Sequence, residues 1–196
     1  MFRLKFFYSI VFTLSTIVLL IACNNSSDNK KEMSQAEMIE RGKYLVTSGS
    51  CHDCHSPKIM TPQGPVVDTT RALSGSPSTT VIADVDPQLV QPGKWYLFVQ
   101  DLTAAVGPWG ASFSANLTPD IETGIGSWQE EMFINALRTG KHLGVGRPIM
   151  PPMPWEFIGK FSDEDLKSIF AYLKSLKPVK NKVPDNIPPD KLFAKK

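Results

Sequence analysis

Cys51-His52-Asp53-Cys54-His55 decides the reading of this chain. Two cysteines stand three positions apart and a histidine follows the second, the C-x-x-C-H pattern of covalent c-type haem attachment. The chemistry needs this spacing. Two thiols add to the two vinyl groups of the haem, so they must lie one helical turn apart, and the next residue then projects its imidazole at the iron. Two other uses of such residues compete. A closed zinc site needs four ligands, and beyond Cys51, Cys54 and His52 or His55 only His142 remains. A thioredoxin-like redox pair wants a preceding strand in a βαβ unit, whereas here a helical pattern precedes the motif.

Working toward the N-terminus, the chain supplies the export that bacterial haem attachment requires. Arg3 and Lys5 are followed by an apolar run over 6–22, the n-region and h-region of a secretory signal. Leu20-Ile21-Ala22-Cys23 resembles the lipobox of bacterial lipoproteins, in which the cysteine is acylated and becomes the new N-terminus. Asn24-Asn25-Ser26-Ser27-Asp28-Asn29-Lys30-Lys31 is polar and aperiodic, a tether. The apolar run is at the short edge of a membrane-spanning helix, so the competing reading is an uncleaved signal anchor. The expectation is a lipoprotein signal peptide over 1–22, lipidation at Cys23, a flexible tether over 23–33, and an exported protein held at a membrane and facing the periplasm. Acyl chains on one residue anchor more stably than a single myristoyl chain. The cysteine count then closes: one of three for lipid, two for thioethers.

The chain has 196 residues, room for one sizeable domain. Loss of the leader removes Arg3 and Lys5 but no acid, leaving 19 basic and 19 acidic residues. Zero net charge argues against a nucleic-acid partner. A hydrophobic fraction of 42% with 20% charged residues fits a globular core.

Ser34-Gln35-Ala36-Glu37 reads as a capping box opening a helix to about Thr47, with Gly49 as its stop. The stretch 56–126 is rich in Gly, Pro, Ser and Thr, with β-like runs at 80–83 and 95–99. Ser127-Trp128-Gln129-Glu130 reads as a second capping box, before a helix with Phe133, Ala136 and Leu137 on one face. Ser162 caps a third helix whose inner face is Leu166, Ile169, Phe170 and Leu173. A Pro-rich, extended tail occupies 179–196. The fold class is mainly α, with a long loop and short-strand insertion between the haem motif and the middle helix.

Haem iron in electron carriers is often held by His and Met. Of seven methionines, Met1 goes with the leader, Met33 and Met38 precede the motif, Met60 follows His55 too closely, and Met132 sits inside a helix as a core residue. Met150 and Met153 remain, in Arg147-Pro148-Ile149-Met150-Pro151-Pro152-Met153-Pro154-Trp155. Pro152 and Pro154 fix φ on both sides of Met153, and a pinned loop can hold a weak thioether ligand. His142 is the competing distal ligand, giving bis-histidine iron; its plainer role is a loop histidine near the haem edge. His52 faces solvent in this reading.

Helix, C-x-x-C-H, middle helix, Met loop and terminal helix come in the order of class I cytochromes c, which the chain resembles. More narrowly, Asn116-Leu117-Thr118-Pro119-Asp120-Ile121-Glu122-Thr123-Gly124-Ile125-Gly126-Ser127-Trp128, with Ala136-Leu137-Arg138-Thr139-Gly140 and Met153-Pro154-Trp155, resembles the cytochrome c subunits of membrane-bound alcohol and gluconate dehydrogenases. Those subunits carry three haem motifs and this chain one. The resemblance implies a cytochrome c domain over 34–178, with an insertion at about 69–106. It implies Met153 as distal ligand, and Pro65 as the carbonyl that accepts from the proximal imidazole. Arg138, Asn116 and Trp128 are candidates to meet the haem propionates. It also implies a close crossing of the first and last helices, Gly42 and Val46 against Phe170 and Leu173.

The expected function is electron transfer by one covalent haem c, with iron held by His55 and Met153 and cycling between ferric and ferrous. Expected partners are a dehydrogenase, oxidase or respiratory complex, and the membrane through the lipid. The alternatives are a haem subunit docked on such a complex and a peroxidase-like haem enzyme with a labile distal ligand. The insertion, with Trp95, Tyr96 and Phe98, is either a docking face or a flap over the haem.

Overall fold

The computed structural model describes residues 32–194; the expected signal peptide, Cys23 and most of the tether lie outside them. Helix α1 (Gln35–Ser48) starts at the expected capping box: Ser34 Oγ accepts from the Glu37 N–H, and the Glu37 carboxylate accepts from the Ser34 N–H at 2.8 Å. Gly49 ends it, its N–H bonding the Leu45 carbonyl. Helix α2 (Cys51–His55) follows at once.

The last long helix, α5 (Asp163–Ser175), is capped by Ser162 Oγ accepting from Asp165 N–H at 3.1 Å. Three acids occupy its positive end. Its stripe of Leu166, Ile169, Phe170 and Leu173 is buried and packs with Leu45, Val46, Phe133 and Leu137 in the main core. Helices α1 and α5 cross where Gly42 has no side chain: a Cβ there would stand 1.9 Å from the Ser168 carbonyl oxygen. The expected close crossing of these two helices at Gly42 and Val46 is present, with the nearest contacts of Gly42 falling beside Phe170 and Leu173 rather than on them. Gly42 lies on the backbone of Ser168 and beside Tyr172, while Val46 joins Phe170 and Leu173 in the core.

Helix α3 (Glu130–Thr139) begins later than the expected capping box. Its N-cap is Gln129, with no side-chain bond. The Trp128 N–H is already committed to the Ile125 carbonyl at 3.0 Å, a turn that keeps Ser127 out of the helix. Glu130 and Glu131 serve its positive end instead. Phe133, Ala136 and Leu137 are buried as expected, whereas Met132 faces outward. Short helices α4 (Trp155–Ile158) and α6 (Pro189–Leu192) bring the α-helices among the described residues to six.

The architecture is mixed rather than simply α-helical, because two small antiparallel sheets accompany the helices. One is a hairpin of β1 (Lys58–Thr61) and β2 (Gly64–Val67). The other has order β3–β4–β5, with β3 (Leu97–Phe98), β4 (Ala104–Gly107) and β5 (Gly110–Phe113). The stretch 80–83 forms no strand, and the run at 95–99 shrinks to two residues. In β4 all four residues, Ala-Ala-Val-Gly, are buried, so no polar alternation marks the strand.

The extended tail packs back on the domain. Ile187 bridges to Ala111, extending the sheet at β5. The Asn181 amide donates to the carbonyls of Ser74 and Ser76 at 2.7 and 2.9 Å.

Candidate functional site

A cavity of about 360 Å³ lies between α2, α3, the sheet, the methionine loop and the tail. Its wall includes Cys54 and His55, Met150 and Met153, and residues 182–186. His55 is buried, at 7% exposure, with Nδ1 2.8 Å from the Ala115 carbonyl oxygen. A carbonyl only accepts, so Nδ1 carries the proton and Nε2 keeps a free lone pair. Burial lowers the His55 pKa, which keeps the ring neutral and able to bind a metal.

Burial raises the pKa of both Cys51 and Cys54. Cys54 lines the cavity, while Cys51 packs against the main core. Lys58 ties the motif to the insertion: its Nζ donates to the carbonyls of Asp53, Ser56 and Asp101. His52 is half-buried rather than facing solvent, with Nδ1 2.9 Å from Ser56 Oγ.

Three expected residues have other work. Pro65 is exposed on β2, opposite Met60, and the carbonyl on the His55 ring is Ala115's. The β1–β2 hairpin carries Pro65 away from the histidine, and the segment after β5 fills that role. Arg138 does not line the cavity. Its guanidinium donates to the Gly159 carbonyl and to Asp163 at 2.6 Å, joining α3 to the start of α5. Asn116 does line the cavity, but its polar atoms are committed. The amide donates to Val179 O at 2.8 Å, and the carbonyl oxygen accepts from the Thr118 N–H and hydroxyl.

Trp128 lines the cavity with His142 packed edge-on at 5.1 Å. Burial, then Arg147, lowers the His142 pKa. Both Met150 and Met153 are half-buried on the wall, and Met153 also touches the main core. Phe98, Leu102, Ala104 and Ala105 put the insertion on the wall too. The cations there are Arg147 and Lys182, beside Asp185 and a Glu122 already paired with Lys180 at 2.6 Å. No pattern in the sequence marked Ala115, whose contribution is a backbone carbonyl. Lys182 was unmarked because the tail shows no period that predicts packing. Among the described residues no group of three or more His, Cys, Asp or Glu side chains is placed to hold a metal ion, and no helix is long and apolar enough to cross a membrane.

Two cysteines one turn apart, a buried neutral imidazole beside them and methionines on the same cavity wall make a donor set suited to a covalently held haem. Comparison with known proteins gives the same class: the chain is related, over most of its length, to cytochrome c subunits of dehydrogenase complexes. It is 28% identical over 181 residues, 90% of its length, to the fructose dehydrogenase cytochrome subunit of Gluconobacter japonicus, covering 30% of that protein. It is 27% identical over 175 residues, 88% of its length, to the alcohol dehydrogenase (quinone) cytochrome c subunit of Gluconobacter oxydans, covering 29%. It is 30% identical over 135 residues, 69% of its length, to the gluconate 2-dehydrogenase cytochrome c subunit of Pantoea cypripedii, covering 22%. The chain thus spans less than a third of the length of these curated relatives. No family model matches it.

Proposed function

We propose that this chain is a single-haem electron carrier with the class I cytochrome c fold, passing electrons to or from a dehydrogenase complex outside the bacterial cytoplasm. The observation that carries the reading is His55. It is a buried neutral imidazole directly after a cysteine, its one proton is spent on the Ala115 carbonyl, and the residue lines a cavity that also holds two methionines. Cys51 and Cys54 would supply the thiols, His55 the nitrogen ligand and Met153 the sulfur ligand that hold the haem. Haem c, when bound, supplies one-electron Fe(III)/Fe(II) chemistry. The chain's own residues would hold it, fix the ring of His55 through Ala115, exclude water with the apolar wall, and meet its carboxylates with the charges of Arg147 and Lys182 and the N–H of the Trp128 indole. No side chain is asked to transfer a proton. Acylation of Cys23 keeps the carrier at a membrane.

Expressed with haem-maturation machinery, the purified protein should carry one covalent haem per chain. A colourless protein with stoichiometric zinc refutes the reading. Met153→Ala should keep the covalent haem, lose the far-red sulfur-to-iron band of the ferric protein, and lower the potential, because Met/His ligation raises it. If Met150→Ala abolishes the band while Met153→Ala keeps it, the ligand is Met150. A spectrum altered only by His142→Ala makes the iron bis-histidine. Mass spectrometry that finds Cys23 unmodified removes the lipid anchor.

A further inference from the structure

The loop that carries Met150 and Met153 braces itself only weakly. Within 148–154, Pro148, Pro151, Pro152 and Pro154 have no N–H to donate. Ile149 N–H bonds the Gly140 carbonyl at 2.7 Å, and Met153 N–H bonds the Met150 carbonyl at a long 3.3 Å. The Pro151 carbonyl, between the two methionines, is met from outside the loop: Ser112 Oγ on β5 donates to it at 2.6 Å.

Ser112 is itself oriented. It is 6% exposed, and its oxygen accepts from the Trp109 indole N–H at 3.2 Å. With that lone pair occupied, the hydroxyl proton is directed to Pro151. The indole is confined in turn. A Cβ on Gly107 would stand 2.4 Å from the Trp109 ring, so the ring lies over the bare glycine. The Tyr96 ring packs edge-on against the indole, with centroids 4.8 Å apart. Gly107, Trp109 and Ser112 all belong to the β4–β5 hairpin and its turn.

We infer that Ser112, oriented by Trp109, is the positioning residue of the methionine loop, and that the β4–β5 hairpin braces the distal side of the iron site through it. This rests on the methionine-ligand reading above. A thioether is a weak ligand, and any added base competes with it for iron. The apparent affinity of that base therefore measures how firmly the loop is held. Removing the hydroxyl leaves the Pro151 carbonyl without its donor and frees the loop.

The test is titration of the ferric, haem-loaded full chain with imidazole, followed by the far-red band. Ser112→Ala should retain the covalent haem and the band in the absence of imidazole, yet bind imidazole about five- to tenfold more tightly. That range matches one hydrogen bond, a tenfold change being about 1.4 kcal/mol. Trp109→Phe keeps a ring over Gly107 and loses the N–H, so it should shift the affinity the same way by less. Ser112→Thr keeps the hydroxyl and should return the affinity toward the wild-type value. A Ser112→Ala protein that melts lower but binds imidazole as the wild type does makes the hydroxyl merely structural and overturns the inference. If Ser112→Ala does not fold, an unchanged affinity in Trp109→Phe overturns it equally. A wild-type protein with no sulfur-to-iron band refutes the ligand reading before any variant is made, and the brace falls with it.

Discussion

Gly42→Ala sets helix propensity against packing, and the geometry decides the sign. At an exposed helical position the change stabilises by about 0.5–1 kcal/mol. Gly42 is buried, and the new Cβ would lie 1.9 Å from Ser168 O, 2.5 Å from Ser168 C and 2.8 Å from Tyr172 Cβ. The first two are backbone atoms of α5, so no rotamer change relieves them. The two helix backbones must separate by about 1 Å before even 3.0 Å is reached. That opens the seam in which Leu45 and Val46 pack with Phe170 and Leu173. Overpacking usually costs about 1–3 kcal/mol, and contact with backbone puts this site at or above the top of that range. Net of propensity, the expected loss is about 2–3 kcal/mol, or roughly 4–12 °C in Tm for a domain of this size. Urea unfolding followed by far-ultraviolet circular dichroism should show a lower midpoint at an unchanged slope. Adding Ser168→Gly should not rescue the variant, because the offending atom is main chain. An equal or higher midpoint for Gly42→Ala would refute the close crossing.

Two further outcomes follow from hydrogen-bonded polar side chains. The Asp68 carboxylate accepts from the Thr70 hydroxyl and from Arg71 Nε at 2.6 and 2.8 Å, which lowers its pKa to about 2. Its folded-state pKa is depressed, so the stabilisation is present above about pH 4 and is lost as pH falls toward 2. Asp68→Asn should cost about 1–2 kcal/mol at pH 7, discounted for the exposure of Arg71. The gap to wild type should close in acid unfolding curves as pH nears 2, and a gap independent of pH contradicts the assignment. Asn181→Ala removes the donor shared by the Ser74 and Ser76 carbonyls. It should cost about 2–3 kcal/mol and speed exchange of the Ile187 amide, and unchanged exchange would show that the tail is held elsewhere.

The sequence showed most where a pattern is local. Ser34 with Glu37, Ser162 with Asp165 and the stripe Leu166 to Leu173 each depend on neighbours within two turns, and each stands as expected. The C-x-x-C-H spacing is equally local, and it led to a histidine that the fold buries beside a cavity. Partnerships over long separations were not legible. The carbonyl on His55 belongs to Ala115, 60 positions away, and a backbone oxygen leaves no trace in residue type. Arg138 looked available for an anion until Asp163 and the Gly159 carbonyl took it. β4 and β5 escaped because small buried residues on both faces give no alternation.

The segment over 182–186 forms part of the cavity wall, yet it follows His55 by well over a hundred residues. The anchors on either side of it, Asn181 on Ser74 and Ile187 on Ala111, span 107 and 76 positions. Such non-local closures carry the loop entropy of everything between them, which here is offset in part by Ile187, Leu192 and Phe193 packing on Val90, Val106 and Ala111. The tail thus closes one side of the site through contacts that the α1–α5 seam does not share, so loosening it would bare the cavity wall without disturbing the main core.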